Sequence, residues 1–133
     1  MKIYKETDSI CEIKYHIAFC TKNRSEIIID AVEIELKKIL AEICEEYEWK
    51  LEKLETKPDH VHLVIKADTM ISPAEIADRL KTMSAVHIFS TFPKIKGKKF
   101  WGSGLWSKST YYGAVGHVSE EAIKKYIEDQ KSH

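Results

Sequence analysis

Trp49-Lys50-Leu51-Glu52-Lys53-Leu54-Glu55-Thr56-Lys57-Pro58-Asp59-His60-Val61-His62-Leu63-Val64-Ile65 reads as two short strands around a tight turn. Residues 49 to 56 make the first strand. Lys57-Pro58-Asp59 makes the turn, because proline presets its own dihedral and aspartate favours the bend. His60 to Ile65 returns as the second strand of the hairpin. Alternate residues of a strand share a face, so Val61, Leu63 and Ile65 point together into a core. His60 and His62 then point to the opposite, open face.

The flanking sequence completes the pattern. Residues 11 to 19 alternate, with Ile13, Tyr15, Ile17 and Phe19 on one side, as a strand should. A helix is predicted between that strand and the hairpin. It opens at Asp30 with Glu33 three residues on, a capping-box signature. Its apolar stripe is Val32, Leu36, Ile39, Leu40, Ile43 and Tyr47. After the hairpin, Ser72-Pro73-Ala74-Glu75 starts a second helix with a second capping box, and Phe92-Pro93 should end it. Its buried side is Ile76, Leu80, Met83 and Ile88. A lysine loop over 94–99, a strand around Leu105 to Tyr112 and a last helix capped by Ser119 and containing Ile123 and Ile127 follow. Gly113 and Gly116 bracket a flexible stretch before that helix. Strand, helix, strand, strand, helix, strand predicts an α+β fold: a ferredoxin-like (RRM-like) antiparallel sheet with helices on one face, plus the C-terminal helix. A chain of 133 residues with 44% hydrophobic content fits one domain spanning 1–133.

Several classes are excluded. Uninterrupted apolar runs such as Ile27–Ile29 are far too short to cross a bilayer, and the N-terminus lacks a signal-peptide pattern, so a cytoplasmic location is expected. Cys11, Cys20 and Cys44 are odd in number and widely spaced, which argues for buried reduced thiols rather than a disulfide framework or a zinc ribbon. Net charge is zero, but its distribution is not even. Between Arg79 and Ser119 lie Arg79, Lys81, Lys94, Lys96, Lys98, Lys99 and Lys108 with no acid among them, whereas acids outnumber cations on both sides. Phe100, Trp101, Trp106, Tyr111 and Tyr112 are interleaved with these cations. Cations for phosphates beside aromatics for bases suit a single-strand binder. A solvated lysine loop beside a core-facing aromatic strand fits the same residues.

Two local patterns carry chemistry. His60 and His62, two residues apart on an open sheet face, are placed to share a metal ion, or are simply two polar residues on a wet surface. In Lys124-Lys125-Tyr126-Ile127-Glu128-Asp129-Gln130, Tyr126 and Gln130 lie one helical turn apart on one face. A tyrosine hydroxyl can be a nucleophile and a Gln oxygen can complete a mixed nitrogen–oxygen site. Packing beside Ile123 and Ile127 is the alternative for Tyr126, and a solvated surface position the alternative for Gln130.

Taken together, the chain resembles the single-tyrosine transposases of the insertion-sequence 200/605 family, nucleases named for a His-hydrophobic-His motif. The resemblance runs through Tyr15-His16-Ile17, Cys20-Thr21-Lys22, Pro58-Asp59-His60-Val61-His62-Leu63, Leu105-Trp106-Ser107, Gly116-His117-Val118-Ser119-Glu120-Glu121 and Tyr126-Ile127-Glu128-Asp129-Gln130. It implies that His60, His62 and Gln130 bind Mg²⁺ or Mn²⁺, and that Tyr126 attacks a scissile phosphate of single-stranded DNA to leave a 5′-phosphotyrosine. It also implies hairpin transposon ends as substrate and a homodimer whose active sites form in trans, with the 113–116 stretch as hinge. His16, His87 and His117 are expected in structural roles. Arg79, Lys81, Lys94, Lys96, Lys98, Lys99 and Lys108 are expected at phosphates, and Trp106 either at a base or in packing. A non-catalytic module reading single-stranded nucleic acid, and a domesticated relative that processes genomic hairpins, are the competing readings. A zinc hydrolase is disfavoured, since no third ligand stands at a familiar zinc spacing.

Overall fold

The computed structural model describes residues 12–68, 70–99, 104–114 and 120–130, with only the backbone given for 97–99 and 120–122. Four strands, β1 (Glu12–Cys20), β2 (Lys50–Lys57), β3 (His60–Asp68) and β4 (Tyr111–Ala114), form one sheet in the order β2-β3-β1-β4. All three pairings are antiparallel. Helices α1 (Asp30–Glu46) and α2 (Pro73–Thr91) make the two crossovers, followed by α3 (Pro93–Lys99) and α4 (Glu120–Asp129). This is the α+β, ferredoxin-like arrangement that the element order predicts.

The core follows from strand alternation. Ile17, Phe19, Val61, Leu63 and Ile65 are fully buried, and they meet Leu36, Leu40 and Ile43 of α1 and Ile76, Leu80 and Ile88 of α2. Each such large aliphatic side chain removed from water contributes roughly 1.5–3 kcal/mol. Cys20 and Cys44 are buried free thiols, and burial pushes their pKa values up to about 11 and about 12, as inert structural cysteines require. Cys11 lies outside the described residues, as do Phe100, Trp101, Gly116, His117 and Ser119. No helix among the described residues is long and apolar enough to cross a membrane.

The hairpin turn is the predicted one: Lys57 pairs with His60 across Pro58-Asp59. Both turn carbonyls are then used by the segment after β1. Thr21 N–H donates to Asp59 O and Ile28 N–H to Pro58 O, each at 2.9 Å. That segment includes a 3-10 turn over Lys22–Arg24.

Three local expectations need correction. Asp30 does not cap α1. It adopts the left-handed region (φ 51°), the N-cap residue is Ile29, and the Glu33 carboxylate accepts from Thr56 Oγ1 at 2.6 Å instead of turning back to the helix start. A tertiary partner has displaced the local one. The stretch 94–99 is helical rather than a loop, because Pro93 presets a helical start and lysines are good helix formers, while half-buried Ile95 anchors the turn to the core. The last strand is confined to Tyr111–Ala114; upstream, only an isolated Thr21–Trp106 bridge joins the sheet's end. The carbonyls of Ser107, Lys108 and Ser109 turn toward Lys81 Nζ, which removes them from any ladder.

Ser72 does cap α2, its Oγ accepting from Glu75 N–H at 3.0 Å, although the Glu75 carboxylate pairs with Arg79 rather than closing the box. Ser72→Ala should therefore lower stability by about 1 kcal/mol in urea unfolding. Asp30→Gly removes no capping bond and relaxes a left-handed residue, so its stability should equal or exceed that of the wild type. A loss in Asp30→Gly as large as in Ser72→Ala would contradict this assignment of the helix starts.

Candidate active site

Register decides what faces away from α1 and α2. Ala18 pairs with both His62 and Tyr111, and Cys20 pairs with His60. His16, Ala18, His60, His62 and Tyr111 therefore share the sheet face opposite the core. The structure thus brings both histidines of the motif to one face, as the alternation predicts.

That face is not open water at His62, which is only 7% exposed. Its ring stacks on His16 (centroids 5.3 Å apart, planes at 22°), with His16 Nδ1 and His62 Nε2 3.1 Å apart. Its Nδ1 lies 3.7 Å from Glu55 Oε1. His16 is thus hydrogen-bonded, as a structural role requires, and its partner is a motif histidine. His87 also has a structural bond, linking α2 to Glu35 of α1 at 2.8 Å.

His60 is oriented by its neighbour, Nδ1 standing 2.8 Å from Asp59 Oδ1. Arg24 holds the other carboxylate oxygen, Nε and Nη2 each 2.7 Å from Asp59 Oδ2. Burial acts to raise the Asp59 pKa, but the bonds from His60 and Arg24 and the guanidinium charge outweigh it and hold the carboxyl below its usual value. The third nitrogen of Arg24, Nη1, donates to Ile127 O of α4 at 3.0 Å. A carboxylate on one nitrogen of a histidine, leaving the other to a ligand, is how metal-binding histidines are usually steered. Among the described residues, no three His, Cys, Asp or Glu side chains gather into a metal site, so a metal at His60 and His62 needs a further donor of another type.

Helix α4 lies on this same face of its own sheet. Ile123 is buried, and the Tyr126 ring sits 5.8 Å from that of Tyr111. The Tyr126 hydroxyl donates to Ser109 O at 3.0 Å and lies 3.3 Å from Ser109 Oγ. Desolvation raises its pKa and the Ser109 bond only partly offsets this, so the phenol is neutral at physiological pH. Gln130 Oε1 accepts from Ser109 Oγ at 2.9 Å and from Ser107 Oγ at 3.5 Å. Tyr126 and Gln130 are thus brought together on one serine-rich loop, beside a cavity of about 330 Å³ between the 21–23 turn, the 107–109 loop and Gln130.

The basic residues divide. Lys94, Lys96 and Lys108 are exposed, while the side chains of Lys98 and Lys99 are outside the description. Arg79 pairs with Glu75 and lies over the Tyr47 ring at 4.9 Å. Lys81 departs from the expected phosphate role: its half-buried ammonium donates to Ser107 O and Thr110 Oγ1 at 2.8 Å, and burial lowers its pKa. Trp106 departs from the base-stacking role. It is 7% exposed, packed edge-on against Phe19 at 4.6 Å, with Nε1–H donating to Ser84 Oγ at 3.0 Å. Sequence reading missed Arg24, Asp59 as a working side chain, Ser107 and Ser109; Asp59 and Ser107 were signalled only by their place in the resembling motifs, and Arg24 and Ser109 stand in none of them.

The sequence model of a family described as IS200-like transposases matches residues 9–130. The ISDra2 transposase TnpA of Deinococcus radiodurans is 31% identical over 130 residues, covering 98% of this chain and 92% of that protein. The transposase for insertion sequence element IS200 of Salmonella typhimurium is 25% identical over 121 residues, covering 89% and 79%. Among solved structures, a Deinococcus radiodurans protein described as a transposase superposes with a TM-score of 0.80 at 35% identity, covering 90% of this chain and 91% of that one. A REP-associated tyrosine transposase bound to a REP hairpin shares the fold, with a TM-score of 0.56 at 9% identity over 86% of this chain and 62% of that one.

Removing the Lys81 ammonium strips the 107–110 loop of its central donor. Lys81→Met should cost about 1–2 kcal/mol in denaturant unfolding, because charge-assisted bonds to partly buried carbonyls are lost. An unchanged unfolding midpoint would show that the loop holds itself.

Proposed function

The chain belongs to the family of IS200-like transposases, and from that premise we propose that it cuts and rejoins single-stranded DNA at transposon ends through a 5′-phosphotyrosine on Tyr126. The observation that carries this reading is the docking of α4, which bears Tyr126 and is followed directly by Gln130, on the sheet face that carries His60 and His62. In the cleavage step the Tyr126 oxygen bonds to phosphorus, the bond from phosphorus to the 3′ oxygen breaks, and that oxygen leaves with a proton as a 3′-hydroxyl. The phenol proton passes to solvent or a nearby base. In the rejoining step a 3′-hydroxyl attacks the phosphotyrosine, a phosphodiester forms and Tyr126 is released. One ester is exchanged for another, so no external energy source is needed.

His60, His62 and Gln130 are the proposed holders of Mg²⁺ or Mn²⁺, which would polarise the phosphate and stabilise charge growing on its oxygens. The carboxylate on His60 Nδ1 fits that role. Gln130 Oε1 rests on Ser109 here, so its use as a ligand requires it to exchange the serine hydroxyls for the metal. Lys94, Lys96 and Lys108 are the exposed cations proposed to meet backbone phosphate.

The proposed assembly is a homodimer in which α4 reaches across to the partner's histidines. Of the 113–116 stretch expected as hinge, Gly113 and Ala114 pair with β1 as part of β4 and so do not serve as one, while 115–116 lie outside the described residues. In this structure α4 rests on its own sheet, held by Arg24, Ser107 and Ser109. The swap therefore exchanges equivalent contacts.

The test is a denaturing-gel assay with single-stranded oligonucleotides from the gene's flanks and Mg²⁺ or Mn²⁺. Wild type should form a metal-dependent covalent adduct that Tyr126→Phe loses. Mixing Tyr126→Phe with His62→Ala protomers should restore part of the adduct if sites form in trans. Tight binding without any adduct would favour the non-catalytic binding module instead, and inactivity in verified heterodimers would place the site within one protomer.

A further inference from the structure

We infer that Arg24 is a positioning residue that fixes His60 and the tyrosine helix relative to each other, by gripping Asp59 behind His60 and the Ile127 carbonyl of α4 at once. The inference rests on the reading of His60 and Tyr126 as working groups and adds to it the element that joins them.

One guanidinium reaches two segments of chain remote from its own. Nε and Nη2 both meet Asp59 Oδ2 at 2.7 Å in the β2–β3 turn, and Nη1 meets Ile127 O at 3.0 Å in α4. Asp59 passes the constraint on, since its second oxygen holds His60 Nδ1 at 2.8 Å. The side chains of Arg24 and Asp59 are only 15% and 12% exposed, so the pair is shielded from the solvent screening that weakens surface ion pairs. Ile127 lies in the last turn of α4, where carbonyls lack helical partners and the helix presents its negative end. A cation is favoured there. A planar guanidinium can serve both acceptors together, whereas a lysine offers a single point of charge.

The backbone supports the same conclusion. Asn23 and Arg24 have φ values of 56° and 53°, two consecutive non-glycine residues in the left-handed region. Such strain persists only where surrounding contacts enforce it. Here Thr21 does so: its Oγ1 donates to Ser25 O at 2.7 Å, its carbonyl accepts Arg24 N–H at 2.9 Å, and its N–H is held by Asp59 O. The strained turn aims Arg24 at both the hairpin turn and α4. Release of α4 then breaks the Ile127 bond while the Asp59 pair, and with it the orientation of His60, survives.

The experiment is hydrogen–deuterium exchange on the full-length protein as wild type, Arg24→Ala and Arg24→Lys, together with Mn²⁺ titration by calorimetry. In Arg24→Ala the α4 amides should exchange about tenfold faster or more, the scale of one charge-assisted bond, while β1 and β3 keep wild-type protection. Mn²⁺ affinity should fall by about tenfold, as for other residues that steer a metal-binding histidine. Arg24→Lys should recover the Mn²⁺ affinity through its Asp59 pair without recovering α4 protection. Unchanged α4 exchange in Arg24→Ala, or a speed-up spread evenly over the sheet, would overturn the inference. If Arg24→Ala does not fold, α4 exchange in Arg24→Lys is read in the same way. The exchange arm needs neither metal nor DNA, so a wild type that binds no Mn²⁺ would count against His60 and His62 as ligands and leave Arg24's role to the exchange result.

Discussion

The register of β3 against β1 is the constraint on which the site depends. Val61, Leu63 and Ile65 are fully buried against α1 and α2, and each is locked opposite a β1 residue. A slip of one position would put His60 and His62 in the core and take three aliphatic side chains out of it. Three such side chains are worth several kcal/mol, comparable with the whole stability of a small domain. The histidines are therefore held on the far face by hydrophobic burial on the near one. No bond of their own is needed to put them there, and their polar contacts are left to set ring orientation.

Those polar contacts form a closed set around the end of the sheet. His16 stacks on His62, Asp59 holds His60, and Arg24 holds Asp59 and α4. On the other side Lys81 organises the 107–110 loop, whose serines hold Tyr126 and Gln130. Among described residues with low exposure, no side-chain nitrogen or oxygen is buried without a hydrogen-bond partner. That matters because a half-satisfied polar cluster would be worse than an apolar one. The polar contacts of α4 are few, whereas α1 and α2 are joined by a largely apolar seam to which the His87–Glu35 bond is added.

The legibility of the sequence followed the range of the interactions. Strand alternation in β1 and β3, the apolar stripe of α1, the Pro58-Asp59 turn and the Ser72 cap are fixed by neighbours a few residues away, and all were readable. Asp30 was misread because Thr56, on another strand, takes the Glu33 carboxylate. The lysine stretch 94–99 was misread because Pro93 reads only as the end of α2, whereas it also starts a short helix that Ile95 ties to the core. In the site, the pairing of His60 with His62, and of Tyr126 with Gln130, is local periodicity and could be seen. Arg24 acts across 35 and 103 residues of sequence, and Lys81 across 26 to 29. Nothing in a local window distinguishes such cations from ones free to meet phosphate. Trp106 shows the same limit, since an aromatic beside lysines suits either a base or a core until Phe19 and Ser84 are seen around it.

Strand register sets His60 and His62 on one sheet face, and the role proposed for them there is to share one metal ion. Pulsed electron paramagnetic resonance of Mn²⁺ bound to the wild type, His60→Ala and His62→Ala measures this without any DNA. Nitrogen couplings from two imidazoles are expected in the wild type and from one in each variant, with weaker binding in both. Mn²⁺ bound with no imidazole coupling, or with spectra unchanged by either substitution, would contradict it.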